Sequence, residues 1–225
     1  HRDGVPPKLA AEIKSFVTQE VMHTREHVHF NKKIVDAGYD VSRLEKHVDD
    51  VMDFIKTRPA IVNLCATMAL EHYTAILAKQ FLEDPSTFAG TDAEQANMWK
   101  WHAIDEIEHK GVAYDTWMHA TRNWSRFKRW RMKSVMMVLV SFNFWRHRYI
   151  GMIDLLRQDG ITGWTAHKGM LNFLLGKPGV ARKLIGPWST YFLPGFHPWN
   201  EDDRGLIGSF DSEYEAARLP KAMAA

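Results

Sequence analysis

Hydrophobic and polar residues alternate along most of this chain with the period of α-helices. Proline and glycine interrupt the pattern at intervals, and these interruptions predict where helices begin and end. The pattern predicts five main helices, at about residues 7–37, 42–58, 59–82, 91–123 and 126–159. No stretch reads convincingly as a strand, so we predict an all-α fold.

Short motifs refine the predicted helix starts. Ser42 followed by Glu45, and Thr91 followed by Glu94, have the spacing of a capping box. In that motif the first side chain bonds a backbone N–H of the first turn and the second bonds back. We therefore predict that these two boxes begin the second and fourth helices.

The C-terminal part of the chain has a different composition. Residues 163–176, GWTAHKGMLNFLLG, predict a short amphipathic helix, and residues 212–219, SEYEAARL, predict a terminal helical turn or two. Between them, residues 176–203 are rich in glycine, proline and aromatics, and we predict an ordered loop that packs on the bundle. The expected organisation is one helical domain over residues 1–225, with a bundle at about 7–159 and an extension at about 160–225.

Polar residues lie where the first predicted helix should be apolar. Glu20, His23 and His27 are spaced by three and four residues, so they share one narrow helical face. Phe16 and Ile34 lie on that same face. A core-facing stripe that carries a carboxylate and two imidazoles suggests chemistry, because such groups are costly to bury without partners.

Two further predicted helices repeat this feature. His102, Glu106 and His109 fall within about 60° of one another on a helix. Glu71 and His72 interrupt the otherwise apolar segment ALEHYTAILA, residues 69–78. Ordinary solvated faces and hydrogen-bonded core histidines are the alternative, but each buried charge would then need its own partner.

The spacing Glu-x-x-His occurs twice, at Glu20–His23 and Glu106–His109. Two such motifs with inward glutamates are typical of ferritin-like di-iron and di-manganese bundles. The pattern lacks a further glutamate from an earlier helix, and we assign that role to His27 and His102. The predicted cofactor is two metal ions, iron first and manganese or zinc as alternatives. The predicted metal ligands are Glu20, His23, His27, Glu71, His102, Glu106 and His109.

Other polar residues nearby lie off the predicted ligand faces. Asp105, Glu26 and His72 point about 100° or more away. We expect them to support the ligands or to lie at the surface, and His72 is the first candidate to join the ligand set.

The segments QEVMHTREHVHFN, ALEHYTAILA, WHAIDEIEHKGVAYD and PGFHPW resemble those of a bacterial family described as predicted metal-dependent hydrolases, which is related to ferritin-like proteins. The resemblance spans nearly the whole chain. It implies a helical protein with a dinuclear metal site, whereas the reaction in the family's name is itself a prediction. His197, in PGFHPW, is expected either to cover the site or orient a ligand, or to fix a loop.

By analogy with other helical bundles that carry two Glu-x-x-His motifs, we expect a di-iron enzyme of the oxidase or oxygenase type. Its substrate would be a small or lipid-like organic molecule. The alternative is a metal-dependent hydrolase that uses a metal-activated water. A second alternative is a non-catalytic metal-binding protein or a helical interaction protein. The sequence does not identify a catalytic residue.

Net charge and cysteine content indicate which partners the protein could bind and in which compartment it is expected. A formal net charge of +2 argues against nucleic acid as a partner. Residues 122–148 combine basic residues with tryptophans, which fits peripheral contact with the inner membrane surface, or simply a bundle helix with a solvated basic end. The single cysteine, Cys65, and the lack of a signal-peptide pattern lead us to expect a cytoplasmic protein. The longest apolar run we identify, residues 134–145, is too short to span a bilayer. A homodimer is a further expected partner state that the sequence leaves undecided.

Overall fold

A computed structural model of the chain describes residues 4–209. In this part the chain forms eight α-helices whose two ends are both described, residues 204–209 are helical as well, and there is no strand, which confirms the predicted all-α class. The ferritin-like arrangement and the division into bundle and extension stay predictions. The helices are α1 Pro7–Asp36, α2 Ser42–Lys56, α3 Ala60–Glu83, α4 Ala93–Glu108, α5 Val112–Ala120, α6 Arg126–Gln158, α7 Gly163–Leu175 and α8 Val180–Thr190.

The bounds of α1, α2, α3 and α6 agree with the predictions within two residues. Helix α1 begins at Pro7, where a missing N–H costs nothing because first-turn N–H groups have no intrahelical partner. It ends before Gly38, whose φ of +99° only glycine adopts readily. Helix α6 begins after Ser125, whose hydroxyl accepts a hydrogen bond from the N–H of Lys128.

Neither predicted capping box forms. The carboxylate of Asp40 accepts from the N–H of Ser42, which is already the first residue of α2. Asp92, not Thr91, caps α4 by accepting from the N–H groups of Glu94 and Gln95. Aspartate competes well for such positions because its negative charge also favours the positive end of the helix dipole.

The single helix predicted over residues 91–123 is wrong, because the chain forms two helices there. Helix α4 ends at Glu108, and α5 begins at Val112 after a turn. Trp199 packs against the backbone of this turn so closely that a Cβ on Gly111 would lie 2.7 Å from its Nε1. The turn places His109 immediately beyond α4.

The loop predicted over residues 176–203 is also only partly correct. It contains α8 and a short 3-10 segment, Pro198–Asn200. Helix α8 tolerates Pro187 and buries Val180 and Leu184, so apolar packing outweighs the weak helix propensity of its sequence. The predicted turn at residues 212–219 lies outside the described residues.

Helix α3 lies at the centre of the fold and packs against α4, α5, α6 and α8. Its Cys65 and Met68 belong to a core that includes the fully buried Trp117, Met137 and Tyr191. Burial raises the pKa of the Cys65 thiol to about 12, so this cysteine packs as a small apolar residue.

Helix α3 also corrects the expectation that no apolar segment is long enough to span a bilayer. By length and composition alone, Ala60–Glu83 could cross a membrane. The central core helix of a globular protein meets the same two criteria, and α3 has that position here.

Candidate metal centre

Helices α1 and α4 bring both Glu-x-x-His motifs together. One ligand atom from each of Glu20, His23, Glu106 and His109 lies within 4.8 Å of every other. Both histidines and Glu106 are buried, whereas the Glu20 side chain is partly exposed. The spacing of three residues within each helix sets each pair on one face, and the approach of the helices brings the pairs into one cluster.

The atoms that face the middle of this cluster are close but are not hydrogen-bonded to one another. Oε1 of Glu20 lies 3.2 Å from Nδ1 of His23 and 3.6 Å from Nε2 of His109. Nδ1 of His23 lies 3.7 Å from Oε1 of Glu106. Three of these atoms, Glu20 Oε1, His23 Nδ1 and His109 Nε2, are buried without any hydrogen-bond partner.

Such a set of atoms fits a cation. Buried polar atoms nearly always have a partner, so three converging exceptions require an explanation. Ligands about 2.1 Å from a shared tetrahedral ion lie about 3.4 Å from one another, close to the separations between these atoms. The donor set of two imidazoles and two carboxylates suits zinc, manganese or iron better than calcium or magnesium.

Two further carboxylates contact the cluster histidines through the ring nitrogens that face away from the centre of the cluster. Oδ2 of Asp105 lies 3.1 Å from Nε2 of His23, and Oε2 of Glu71 lies 2.9 Å from Nδ1 of His109. A carboxylate accepts the ring proton, so in the neutral imidazole the other nitrogen presents its lone pair to the cluster. Metal-binding histidines are commonly oriented in this way.

The arrangement shifts the pKa of several groups. Burial lowers the pKa of His23, but the carboxylates of Asp105 and Glu20 outweigh this effect and raise the pKa to about 9. Burial and the charge of Glu71 raise the pKa of Glu106 to about 7. The cluster by itself therefore retains protons near neutral pH, and a cation would have to displace them.

His102 and His27 extend the cluster towards solvent. Nε2 of His102 lies 3.3 Å from Oε1 of Glu106, and its ring centroid lies 4.1 Å from that of His23. Burial and the nearby charges of His23 and His27 lower the pKa of His102 to about 3, so its ring is neutral. The exposed ring of His27 lies 5.0 Å from the ring of His102 and is one step further from the centre.

The structure thus brings six of the seven predicted ligands into direct contact. Glu71 contacts His109, and the other members lie around Glu20, His23 and Glu106. His27 joins only through ring packing on His102. Metal binding by these residues stays a prediction.

Two other histidines lie elsewhere. The ring of His72 packs against Tyr191 and Phe196, and burial lowers its pKa to about 4. His197 lies 3.0 Å from Asp115 through Nε2 and accepts from the N–H of Trp199 through Nδ1. Both ring nitrogens of His197 are engaged within the C-terminal segment and α5, which fits the expectation that it fixes a loop.

Three aromatic rings lie beside the cluster, and the sequence pattern had placed one of them, Phe16, on the ligand face. Trp101 meets the ring of His23 edge-on at 5.2 Å, and Phe16 lies 4.9 Å from the ring of His109. Trp99 packs against His102 at 5.7 Å. For Trp99 and Trp101 the only signal in the sequence is that they lie on the same helix as Glu106. Apolar rings next to charged groups lower the local dielectric, and electrostatic interactions are stronger in such surroundings.

The chain was compared with curated proteins, with solved structures and with models of protein families. The search of curated proteins found no significant match, and neither did the search of solved structures. A family model described as predicted metal-dependent hydrolase matches residues 1–202, which is most of the chain. The chain therefore belongs to the family of predicted metal-dependent hydrolases.

Proposed function

We propose that the protein is a metal-dependent hydrolase whose cation is held by Glu20, His23, Glu106 and His109. The observation that carries the proposal is the convergence of three buried atoms without hydrogen-bond partners, from Glu20, His23 and His109. The family to which the chain belongs supports the same reaction class. A single zinc or manganese ion fits the four donors best, since this donor number and mix is common for these ions.

A divalent cation that kept a fifth position open for water beside these four donors would lower the pKa of that water and supply a nucleophile at neutral pH. The chain's own residues would have distinct roles. Asp105 and Glu71 fix the orientation of the two imidazoles, so the donor atoms are in place before the cation arrives. Glu106, which has a pKa of about 7 without a cation, would bind the cation as a carboxylate and release its proton on binding.

The expected oxidase or oxygenase activity with two iron ions receives no support from the comparisons, which favour the hydrolase alternative. A second cation would need Glu71, His102 and His27. Glu71 is occupied with His109, and His102 reaches the cluster only through Glu106 and ring contacts. The substrate, whether small or lipid-like, stays a prediction.

Metal analysis of the purified full chain, combined with hydrolase assays, tests the proposal. We expect about one zinc or manganese ion per chain, and hydrolysis of activated ester or phosphoester substrates that a chelator abolishes and the metal restores. His23→Ala should lose both the metal and the activity. His29→Ala, an exposed histidine on the same helix, is the matched control and should retain both.

Other results would overturn the proposal. Two iron ions per chain with a near-ultraviolet iron band would favour the oxidase alternative. A chain that binds no divalent metal, with the same melting temperature before and after chelation, would favour a helical interaction protein. Metal binding without hydrolysis of any of these substrate classes would leave a non-catalytic metal protein.

A further inference from the structure

We propose that the solvent-facing side of α6 binds the surface of an anionic lipid bilayer. This inference is independent of the cation site. We call this side the α6 outer face. Its residues follow one another at intervals of three or four along the helix, or lie beside such a residue, so they share one side. The α6 outer face comprises Phe127, Arg131, Val135, Val138, Leu139, Phe142 and Arg146.

The apolar side chains of the α6 outer face are strongly exposed. Phe142 is 70% exposed, Phe127 67% and Leu139 58%. The opposite side of α6 buries Lys133, Ser134 and Met137 against the rest of the fold. The helix therefore has its core contacts on one side, and the exposed apolar residues on the other side are not part of the buried core. A continuous exposed apolar strip of this kind marks an interaction surface.

The charge around this strip favours an anionic partner. Residues 116–153 contain eight of the chain's 29 lysines and arginines and none of its 27 acidic residues. The rest of the chain therefore carries an excess of acidic residues, so the positive charge is concentrated on one segment. No ion pair joins Arg126, Lys128, Arg131 or Arg146 to a carboxylate within residues 4–209. Their charges are available to an external partner.

The residues of the α6 outer face suit a membrane surface, because apolar residues lie at its centre and arginines lie on either side of them. Arg131 and Arg146 lie on either side of four apolar residues, Val135, Val138, Leu139 and Phe142, and are fifteen residues apart, about 22 Å along the helix axis. A helix that lies in the plane of the bilayer can insert its apolar residues between lipids while its arginines reach the phosphates. Trp130 stacks beside Phe127 at the N-terminal end and is 43% exposed, a position that suits an interfacial tryptophan.

A second copy of the chain fits this surface poorly. In a two-fold dimer the same face meets itself, so the arginines of one copy would approach those of the other without a carboxylate between them. Like charges at an interface are unfavourable. The apolar centre, Val138, Leu139 and Phe142, in turn offers nothing to a nucleic-acid backbone. A negatively charged bilayer can bind both parts of this face: its phosphates attract the arginines, and its acyl chains contact the apolar residues.

Vesicle flotation with the full chain tests the proposal. We expect binding to vesicles of phosphatidylglycerol and phosphatidylcholine, little binding to phosphatidylcholine alone, and weaker binding as salt rises. The triple variant Val138→Ser, Leu139→Ser and Phe142→Ser should bind at least about tenfold more weakly. The double variant Arg131→Gln and Arg146→Gln should also bind more weakly and depend less on salt.

Helix α2 provides a matched control, because it exposes apolar residues in an acidic setting. The triple variant Val48→Ser, Met52→Ser and Phe54→Ser removes side chains that are 52%, 50% and 58% exposed. It should bind vesicles as the unaltered chain does. Circular dichroism establishes that each variant is folded, and the arginine variant tests the surface even if the apolar triple variant fails to fold.

Three results would overturn the proposal. The first is that the unaltered chain does not bind anionic vesicles. The second is that the α2 variant loses binding as much as the α6 variants do. The third is a dimer, seen by light scattering, that the α6 apolar variant converts to a monomer, since a second copy would then cover this face.

Discussion

Nδ1 of His109 lies 2.9 Å from Oε2 of Glu71, and this contact fixes which nitrogen of the imidazole faces the cluster. Helix α3 thereby determines the orientation of a ring that follows α4, although Glu71 itself is not among the four clustered residues. The relationship explains why a carboxylate occurs in the middle of an apolar core helix. The sequence pattern had placed Glu71 among the ligands, but in the structure Glu71 orients a ligand, His109, and the four clustered residues face the site.

Glu71→Gln should weaken cation binding without unfolding the protein. A glutamine amide can still bond the ring but no longer carries the negative charge that orients it and raises its basicity. We expect an affinity about 10–100 times lower, the range observed when such supporting groups are lost. Competition with a chromogenic chelator measures the affinity. The control is Glu83→Gln on the same helix, an exposed residue, which should leave the affinity unchanged.

Cation binding should strengthen as the pH rises. The raised pKa of His23, about 9, means that the folded protein without a cation holds a proton there throughout the neutral range. Each displaced proton makes the apparent affinity about tenfold weaker for every pH unit below that value. Below about pH 7 Glu106 contributes a second proton, so the dependence should steepen.

Calorimetry in two buffers of different ionisation enthalpy measures this proton release directly. We expect about one proton released per cation at pH 8 and more at pH 6. An affinity independent of pH between 6 and 8 would contradict the assignment of His23 as a ligand.

The sequence predicted the polar pairs well because each pair lies within one helix or, for His109, at the residue that directly follows it. Glu20 with His23, and Glu106 with His109, share a face whatever the helices do next. The role of Asp105 is harder to predict, because the side chain that it contacts, His23, belongs to another helix. Helix geometry gives the direction of the Asp105 side chain relative to Glu106. It does not give the angle at which α1 and α4 approach each other, which decides whether Asp105 reaches His23.

The two wrong element predictions have one cause. Both the turn that contains Gly111 and helix α8 depend on distant packing, by Trp199 in the first case and by the core around Leu184 in the second. Local propensity is a weak guide where tertiary contacts decide. The aromatic residues of 176–203 indicated burial correctly, but not whether the chain would be helical there.

Removal of the cation should lower the melting temperature. A ligand present at a thousand times its dissociation constant stabilises the native state by about 4 kcal/mol. In a chain of this size each kcal/mol corresponds to about 2–4 °C, so a chelator should lower the midpoint by about 10 °C. The His23→Ala variant should melt at the same temperature with and without chelator. A drop of equal size in that variant would show that the chelator acts elsewhere.

Asp203→Asn should destabilise the fold strongly. Lys110 is only 4% exposed, and its Nζ lies 2.5 Å from Oδ2 of Asp203, so the substitution leaves a buried ammonium without its counter-ion. Loss of one partner from a buried pair costs about 3–5 kcal/mol. Urea denaturation measures this change. Asp202→Asn alters an exposed neighbour and should change the free energy of unfolding by less than about 0.5 kcal/mol.

The same pair predicts an acid sensitivity. Burial raises the pKa of Asp203, but the charges of Lys110 and Lys79 outweigh this effect and lower it below the usual value. A carboxylate with a lowered folded pKa stabilises the protein above its unfolded pKa, about 4, and that contribution is lost as the pH falls through the folded value. The Asn variant should therefore lose less stability than the unaltered chain does between pH 5 and the acid transition.

Gly111→Ala should destabilise the turn that separates α4 from α5. The added methyl would lie 2.7 Å from Nε1 of Trp199, so the indole or the turn must shift. Overpacking of this kind costs about 1–3 kcal/mol, and here it also displaces the segment next to His109. Gly169→Ala in α7 is the control: it meets nothing within 4 Å and should stabilise by about 0.4–1 kcal/mol. We expect Gly111→Ala to weaken cation affinity as well, measured by chelator competition. A destabilised variant with unchanged affinity would mean that the turn supports the fold without positioning His109.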